Sequence, residues 1–404
     1  MIQSQYDFSM PGRVVFGWGR TKELPELIRP LGHRVHIFCG SRTILNTPEF
    51  SGLLDLLKDA GLELAEVELQ TGEPTVQDVD RLAESKFRAG VSAEKGDVFL
   101  GIGGGSAIDL AKAVSAMVPN WELAEKNGPQ SAPTVRYFLE GVGIGLKLEK
   151  DPIPTVFMPT TAGSGAEATK NAVIASHDPP FKKSLRDVRL FARAVLIDPQ
   201  WTVRNSPEVT ACSGMDALTQ LFESFLSRKA APIPQALAFQ GLSLGFHALE
   251  TAFRDPENRE AREKMAHAAF LSGLCLANSG LGLAHGIAPA LGMHAQVPHG
   301  KACALLLSHA LRINADVCRE RLLMLAAALF PNVFFSNEDS AVEKLIYEVN
   351  VLTNSLQIPR RLSEIGVRRD QLEAIAADSK GNSMNGNPKM LKESDVLQIL
   401  EEIF

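Results

Sequence analysis

Three consecutive glycines stand between an apolar run and an amphipathic run, and this pattern constrains the fold more than any other in the chain. The apolar run at residues 97–102 leads into Gly103, Gly104 and Gly105, and Ser106 then precedes an amphipathic segment at 107–116. We interpret these segments as a strand, a glycine turn and the start of a helix. Glycines leave backbone N–H groups open to an anion, and the helix dipole adds about half a positive charge there. The pattern therefore predicts a site for a phosphate or pyrophosphate.

The glycine turn does not match the two best-known phosphate motifs. No Gly-Lys-Ser/Thr follows it, which excludes a Walker loop, and its spacing is not the strict G-x-G-x-x-G fingerprint. A glycine turn that only packs a helix against a sheet has the same sequence. From the residues alone, both interpretations stay open.

The remainder of the first half alternates between strand and helix patterns. Strands are predicted at residues 34–40, 63–69, 97–102, 154–159 and 194–198, with helices at 50–60 and 75–88. Such alternation is typical of βαβ units and a parallel sheet. Residues 119–150 are rich in proline and glycine, and we predict an irregular segment there.

From about residue 207 the apolar periodicity is helical. Helices are predicted at 207–227, 233–254, 259–279, 299–314, 320–330, 340–356 and 394–403. A chain of 404 residues is too long for one compact core. We therefore predict an α/β domain of the nucleotide-binding type at residues 1–200 and an all-helical domain at 201–404.

Composition excludes several classes of function. The net charge of −6, with no basic cluster, argues against a nucleic-acid partner. No apolar run approaches the length of a membrane span, and the first twenty residues do not resemble a signal peptide, so a cytoplasmic location is expected. The five cysteines are scattered and form no C-x-x-C pair, which predicts reduced thiols and no soft-metal site.

A second loop of the first domain, at residues 159–169, is rich in hydroxyl groups. Thr160, Thr161 and Ser164 supply donors, and Gly163 and Gly165 permit close backbone approach. This composition is typical of a polar crevice wall that faces a phosphate or ribose. A surface turn with a capping threonine is the alternative.

Four polar side chains of the second domain have the chemistry of a metal site. Asp216 and Gln220 are four residues apart within an apolar helical stripe, which places them on one face. Glycine-rich segments farther on contain His285 and His299. A carboxylate, an amide oxygen and two imidazoles can hold Zn²⁺ or Fe²⁺. Histidines beside glycine are also common as hydrogen-bonded turn or core residues, and spacing does not decide between these roles.

Taken together, these motifs resemble the iron-containing (group III) alcohol dehydrogenases of the dehydroquinate synthase-like superfamily. The matching segments are, in order, residues 12–17, 103–109, 159–164, 214–219, 285–286 and 298–300. The resemblance implies a Rossmann-like α/β N-terminal domain, an all-α C-terminal domain and an NAD(P) site in the cleft. Residues 1–200 would then bind the dinucleotide, and residues 201–404 would hold metal and substrate.

The resemblance also implies roles for individual residues. The pyrophosphate would lie on the glycine turn, and the hydroxyl-rich loop would flank the nicotinamide. Asp216, His285 and His299 match three of the four metal ligands of the family and would be the catalytic residues. The residues expected to bind the cofactor are Gly103, Gly104, Gly105, Ser106, Asp109, Thr160, Thr161 and Ser164.

Two positions depart from the family pattern. Gln220 stands where the family usually has a fourth metal-binding histidine, and an amide oxygen is a weaker ligand for Zn²⁺ or Fe²⁺ than imidazole. Pro289 stands where many members have a second histidine, thought to relay a proton. His294 is the nearest candidate substitute for it.

The turn after the first long strand bears on the choice between NAD and NADP. Members that favour NAD tend to have an acidic residue there, whereas this chain has Gly40, Ser41 and Arg42. Glycine leaves room for a 2′-phosphate, and the serine and arginine have the chemistry to bind it. We expect NADP rather than NAD.

The expected activity is reversible hydride transfer between NAD(P)H and a small aldehyde or ketone, assisted by Fe²⁺ or Zn²⁺. Three alternatives stay open: a metal-independent reductase of the maleylacetate reductase type, a phosphosugar or polyol-phosphate enzyme of the synthase type, and a nucleotide-binding homologue without catalysis. The expected partner is a small-molecule alcohol or aldehyde, and a homodimer is the default assembly.

Overall fold

The computed structural model describes residues 5–128 and 132–404 and divides into two compact units. The α/β unit comprises Met10–Thr160 and Ala166–Trp201. The helical unit comprises the segment that ends at Ser9, together with Thr161–Gly165 and Thr202–Phe404. The assignment of cofactor binding to residues 1–200 and of metal and substrate binding to 201–404 stays a prediction.

The α/β unit is built on a parallel sheet, as the alternating patterns predicted. Its strands are β1 (Arg13–Phe16), β2 (Arg34–Cys39), β3 (Glu63–Leu64), β4 (Glu68–Leu69), β5 (Asp97–Gly103), β6 (Thr155–Pro159), β7 (Asn171–His177), β8 (Pro180–Arg186) and β9 (Ala194–Ile197). Seven of them form a sheet in the order β1-β9-β6-β5-β2-β3, with β4 also paired to β2. The segment predicted as one strand at 63–69 is thus two short strands, and the antiparallel pair β7–β8 was not predicted.

Central strands of this sheet are buried on both faces, as is typical of parallel sheets covered by helices. Every residue of β5 is buried. Its alternate residues Val98, Leu100 and Ile102 join a core with side chains from β2 and from the neighbouring helices. This packing fixes the register of β5 and therefore the position of the glycine turn that follows it.

The described part of the α/β unit also contains five α-helices. They are α1 (Leu24–Ile28), α2 (Arg42–Leu45), α3 (Pro48–Asp59), α4 (Val76–Arg88) and α5 (Gly105–Asn127). Thr47 and Thr75 cap α3 and α4 by accepting hydrogen bonds from backbone N–H groups of the first turn.

The prediction of an irregular segment at 119–150 was wrong for its first part. Helix α5 continues through Pro119 to Asn127. Trp121 and Ala124 are buried on this part of the helix, and their burial outweighs the backbone hydrogen bond that proline cannot make. Pro129, also in the predicted segment, lies outside the described residues.

A buried carboxylate joins β5 to β2. Asp97 accepts hydrogen bonds from Arg34 Nε at 2.5 Å and Nη2 at 2.7 Å, from His36 Nε2 at 2.8 Å and from the backbone N–H of Ser92 at 2.8 Å. Burial raises the pKa of Asp97, but the hydrogen bonds from Arg34, Ser92 and His36 outweigh it and lower this pKa to about 2. The ionised carboxylate therefore stabilises the folded state.

We expect this stabilisation to depend on pH. Because the folded-state pKa is below the ordinary value, the contribution of about 2 kcal/mol is present above about pH 4 and is lost as the pH falls towards 2. Urea unfolding of the wild type and Asp97→Asn at pH 7 and pH 3 measures it. The variant should have a lower free energy of unfolding than the wild type at pH 7. The difference between the two free energies should fall to about half at pH 3. Glu94→Gln, an exposed neighbour, is the control; equal differences at both pH values would contradict the expectation.

The helical unit contains nine α-helices among the described residues. They are α6 (Pro207–Leu226), α7 (Pro232–Arg254), α8 (Arg259–Ser279), α9 (Leu283–Ala295), α10 (His299–Asn314), α11 (Arg319–Leu329), α12 (Glu338–Ser355), α13 (Leu372–Asp378) and α14 (Glu393–Glu402). Ser206 caps α6, with Pro207 at the first helical position. The predicted bounds of α8 and α10 agree with the structure, whereas α9 and α13 were not predicted.

Among the described residues, no single helix has both the length and the apolar composition of a membrane span. One bent pair, Arg259–Ser279 with Leu283–Ala295, passes that test by length and composition, with an angle of 100° between its helices.

Candidate active site

The glycine turn has the strand–turn–helix geometry that the sequence predicted. β5 ends at Gly103, Gly104 is the N-cap of α5, and the helix begins at Gly105. Gly103 has φ of +154°, and a Cβ there would lie 2.9 Å from the Cα of Gly40 and 3.0 Å from the Cβ of Ala107. Only glycine fits both constraints. No described side chain caps this end of α5, so its first N–H groups suit an anion.

Residues 40–42 lie at the same edge of the sheet as the glycine turn. β2 and β5 are parallel neighbours, and the N–H of Gly40 donates to the carbonyl of Ile102 at 2.9 Å. Ser41 is the N-cap of α2 and accepts a hydrogen bond from the N–H of Thr43 at 3.1 Å. Arg42 is exposed on the first turn of that helix. The structure thus brings the predicted phosphate-binding residues of both strands together.

The other predicted cofactor residues have varied surroundings. Asp109 accepts a hydrogen bond from the N–H of Val173 in the β7–β8 hairpin at 3.1 Å, and burial raises its pKa to about 6. Thr160 is buried, and its N–H donates to the carbonyl of Gly103 at 3.0 Å. Thr161 and Ser164 belong to the helical unit, where a Cβ added at the neighbouring Gly163 would lie 2.8 Å from Ser213 Cβ.

A buried lysine of α5 anchors the segment that follows the hydroxyl-rich loop. Lys112 Nζ donates to the carbonyls of Ala166 at 2.5 Å, Thr169 at 2.9 Å and Asn171 at 3.1 Å, and to Thr169 Oγ1 at 2.8 Å. Burial lowers the pKa of Lys112 to about 8, opposed by the charges of Asp109 and Glu167. This lysine holds backbone in place and has no free lone pair for chemistry while it is charged.

Three helices of the helical unit bring four potential metal ligands together. Asp216 comes from α6, His285 from α9, and His299 and Cys303 from α10. One ligand atom from each lies within 4.8 Å of the others. His285 Nε2 is 3.1 Å from Asp216 Oδ1, and His299 Nε2 is 3.7 Å from the same oxygen. Asp216, His285 and Cys303 are buried, and His299 is partly exposed.

A second carboxylate fixes the orientation of His285. Glu223 lies two turns after Asp216 on α6 and accepts a hydrogen bond from His285 Nδ1 at 2.7 Å. Its carboxylate also accepts from the backbone N–H of Ala284 at 2.6 Å, at the start of α9. With Nδ1 bonded to Glu223, the Nε2 of His285 faces Asp216 and Cys303. Metal-binding histidines commonly donate their other ring N–H to a carboxylate in this way.

The charges of the cluster act on its histidine. Burial lowers the pKa of His285, but Cys303 and the carboxylates of Asp216 and Glu223 outweigh it and raise this pKa well above the ordinary value. Burial raises the pKa of the Cys303 thiol to about 12.

The two departures from the family pattern are visible in the structure. Gln220 is buried one turn after Asp216, and its Oε1 has no hydrogen-bond partner among the described residues. Pro289 lies within α9. His294, the candidate substitute for the second histidine, pairs with Asp378 at 2.7 Å and is not part of the cluster.

The cluster fits a divalent metal ion. Its donors are a carboxylate oxygen, two imidazole nitrogens and a sulfur, a set typical of Zn²⁺ and related ions. The orphaned Oε1 of Gln220 adds an unsatisfied acceptor on the same helix as Asp216, and buried polar atoms of this kind call for a partner.

Sequence models of one family cover nearly the whole chain. The model described as iron-containing alcohol dehydrogenase matches residues 11–199, and that of the Fe-containing alcohol dehydrogenase family, C-terminal, matches residues 210–404. The chain belongs to the iron-containing alcohol dehydrogenases. This confirms the resemblance, the fold class and the oxidoreductase activity predicted from the sequence: the chain is an NAD(P)-dependent dehydrogenase that interconverts an alcohol and its carbonyl compound.

Individual members of the family resemble this iron-containing alcohol dehydrogenase over their full length. The NAD-dependent methanol dehydrogenase of Bacillus methanolicus is 27% identical, with 98% of this chain and 99% of that protein covered. The lactaldehyde reductase of Escherichia coli (strain K12) is 28% identical, with coverage of 95% and 96%. A crystal structure of a 1,3-propanediol oxidoreductase has a TM-score of 0.87 at 26% identity and covers 99% of this chain and 100% of that one.

Sequence reasoning missed two residues of the site in this dehydrogenase: Cys303, a member of the cluster, and Glu223, which contacts the cluster through His285. The prediction of no soft-metal site did not anticipate the placement of Cys303, because a single cysteine lacks the C-x-x-C signal. Its spacing of four residues after His299 was the signal available, since both lie on one face of a helix. Glu223 likewise follows Asp216 at a spacing of seven, within the same apolar stripe.

Proposed function

We propose that the chain reduces a small aldehyde or ketone with NADPH, and oxidises the corresponding alcohol in the reverse direction, with Fe²⁺ or Zn²⁺ held by Asp216, His285 and His299. The observation that carries this proposal is the convergence of these three side chains from three helices. The reaction breaks the C=O π bond: the carbonyl carbon accepts a hydride with its two electrons, and the oxygen takes a proton. A divalent ion at the cluster would supply Lewis-acid chemistry towards that oxygen.

The residues of the chain have separate tasks in this proposal. The N–H groups of the turn at Gly103, Gly104 and Gly105 bind the pyrophosphate, supported by the start of α5. Glu223 holds His285 in one tautomer, so that its Nε2 stays directed at the cluster. We keep Ser106, Asp109, Thr160, Thr161 and Ser164 as cofactor residues, in the form predicted from the sequence. The fourth protein ligand of the ion, predicted from the sequence to be Gln220, is a separate question.

Elemental analysis of the wild-type protein, purified without a tag or chelator, tests the proposal together with an assay of NADPH oxidation. We expect about one iron or zinc per chain, turnover with small aldehydes and loss of turnover after removal of the metal. A metal-free preparation with full turnover would favour the metal-independent reductase. NADPH binding without turnover over a broad panel of carbonyl compounds would overturn the proposed activity. Turnover confined to phosphorylated substrates would favour the synthase-type enzyme.

The preference for NADPH rests on residues 40–42, and Arg42→Ala tests it. The exposed guanidinium lies on the helix that Ser41 caps, at the sheet edge shared with the glycine turn. Loss of a charge-assisted hydrogen bond to the 2′-phosphate should lower kcat/KM with NADPH about 10- to 100-fold and leave that with NADH nearly unchanged. Arg88→Ala, an exposed arginine of α4, is the control. An equal decrease in kcat/KM with NADPH and with NADH would contradict a contact between Arg42 and the 2′-phosphate.

The proposal also includes a homodimer in the cytoplasm. All five cysteines are free, which suits a reducing compartment. Light scattering coupled to size-exclusion chromatography measures the assembly directly.

A further inference from the structure

The clearest feature that the proposed function leaves unused is the sulfur of Cys303. It is fully buried on α10, one turn after His299, and lies between an apolar core and the polar groups of the cluster. Its Sγ lies 3.6 Å from His285 Nε2 and 3.7 Å from His299 Nε2. A cysteine that acts only as a small core residue would pack against carbon rather than against two imidazole nitrogens.

We propose that Cys303 is the fourth protein ligand of the metal ion, in the place that Gln220 leaves open. The inference rests on the proposed function, because it assumes an ion at Asp216, His285 and His299. The ion would then have one oxygen, two nitrogen and one sulfur ligand from the protein. With Gln220 as the fourth ligand, an amide oxygen would take the place of the sulfur.

Distances within the cluster support this donor set. Ligand atoms bonded at about 2.0–2.3 Å around a tetrahedral ion are separated from one another by about 3.3–3.8 Å. The four separations available, from Asp216 Oδ1 and from Cys303 Sγ to the two imidazole nitrogens, are 3.1, 3.7, 3.6 and 3.7 Å.

Donor chemistry distinguishes the two candidate ligands. Cys303 would bind as a thiolate and would join the carboxylate of Asp216 as a second anionic ligand of a divalent cation, whereas Gln220 would offer a neutral amide oxygen. Thiolate sulfur is a common protein ligand of Zn²⁺. Sulfur also shifts the preference of the site from harder ions towards Zn²⁺.

Cobalt spectroscopy of the full-length protein tests the assignment. Metal-free protein is loaded with one equivalent of Co²⁺, and its absorption is recorded for the wild type, Cys303→Ser, Gln220→Ala and Cys212→Ser. We expect a thiolate-to-cobalt charge-transfer band in the near ultraviolet for the wild type and Gln220→Ala, and its loss in Cys303→Ser. Cys212→Ser is the matched control, because Cys212 lies on α6 one turn before Asp216 but outside the cluster, and it should keep the band.

Other results would overturn the assignment and separate it from the proposed function. Tetrahedral cobalt bands without charge transfer would leave the metal site standing and remove Cys303 from it. Persistence of the band in Cys303→Ser would also overturn the assignment. Failure of the wild type to bind Co²⁺ or Zn²⁺ would overturn both the assignment and the metal role.

X-ray absorption of the zinc-loaded wild type tests the assignment without a variant. We expect one sulfur neighbour at about 2.3 Å beside nitrogen and oxygen neighbours at about 2.0–2.1 Å. A shell of nitrogen and oxygen alone would overturn the assignment, even if every Cys303 variant fails to fold. A zinc titration should show about 100-fold weaker binding in Cys303→Ser than in Gln220→Ala.

Discussion

Asp216→Ala is expected to lower kcat/KM for aldehyde reduction at least about 10³-fold, which corresponds to about 4 kcal/mol of transition-state stabilisation. The carboxylate is the only negative oxygen ligand in the four-residue cluster. Its removal leaves two imidazoles and a buried thiol, a weaker set for a divalent cation. Metal content should therefore fall with the activity.

Cofactor binding should survive the same substitution. The residues assigned to the pyrophosphate belong to the α/β unit, whereas Asp216 belongs to the helical unit. We expect the NADPH dissociation constant, measured by fluorescence titration, to change less than about threefold. Glu208→Ala is the matched control: Glu208 is an exposed carboxylate in the first turn of the same helix and pairs with Lys301 at 3.0 Å. Unchanged turnover in Asp216→Ala would remove the metal cluster from the mechanism.

Lys112→Met should be the most destabilising of the substitutions considered. Three buried carbonyls and one hydroxyl accept hydrogen bonds from this single ammonium group. Methionine has a similar length but donates nothing, so the Thr169 carbonyl would lose this donor, and the carbonyls of Ala166 and Asn171 would keep only their hydrogen bonds from Thr169. We expect a loss of about 3–5 kcal/mol in the free energy of unfolding of the α/β unit.

Urea unfolding, followed by circular dichroism, measures this loss. The control is Lys126→Met, the same change at an exposed position in the last turn of the same helix, and it should shift stability by less than about 0.5 kcal/mol. Equal effects of the two substitutions would show that the buried hydrogen bonds of Lys112 contribute nothing to stability.

The parts of the fold that could be predicted from the sequence are those determined by residues close together in the chain. The strand, glycine turn and helix at residues 97–127 follow from an apolar run, three small residues and an amphipathic run that are adjacent in the chain. The capped start of α6 follows from Ser206 and Pro207 in the same way. Helix α9 was missed because its glycines and Pro289 lower the local helix propensity, and packing of its buried side chains compensates for this only in the folded chain.

The candidate site was predictable only in part, for a related reason. Asp216, His285 and His299 were found because motifs of a known family mark them. Cys303 and Glu223 contribute through contacts with His285, which is 18 and 62 residues away in the chain. The periodicity of one helix shows which of its residues share a face, but not which residues of another helix they contact. The sequence therefore does not show which buried cysteine or glutamate faces the histidine.

The small loop Thr161–Gly165 limits how this protein can be divided. It belongs to the helical unit although the residues on either side of it belong to the other unit. A Cβ at Gly165 would lie 2.5 Å from both the Ala269 carbonyl oxygen and the Gly273 backbone nitrogen, so the loop is closely fitted to helix α8. A fragment that starts at Thr202 would lack this loop and also the segment that ends at Ser9. We therefore expect that a cut between codons 201 and 202 does not give two self-sufficient modules, and that shuffling of the helical half between relatives must carry both pieces with it.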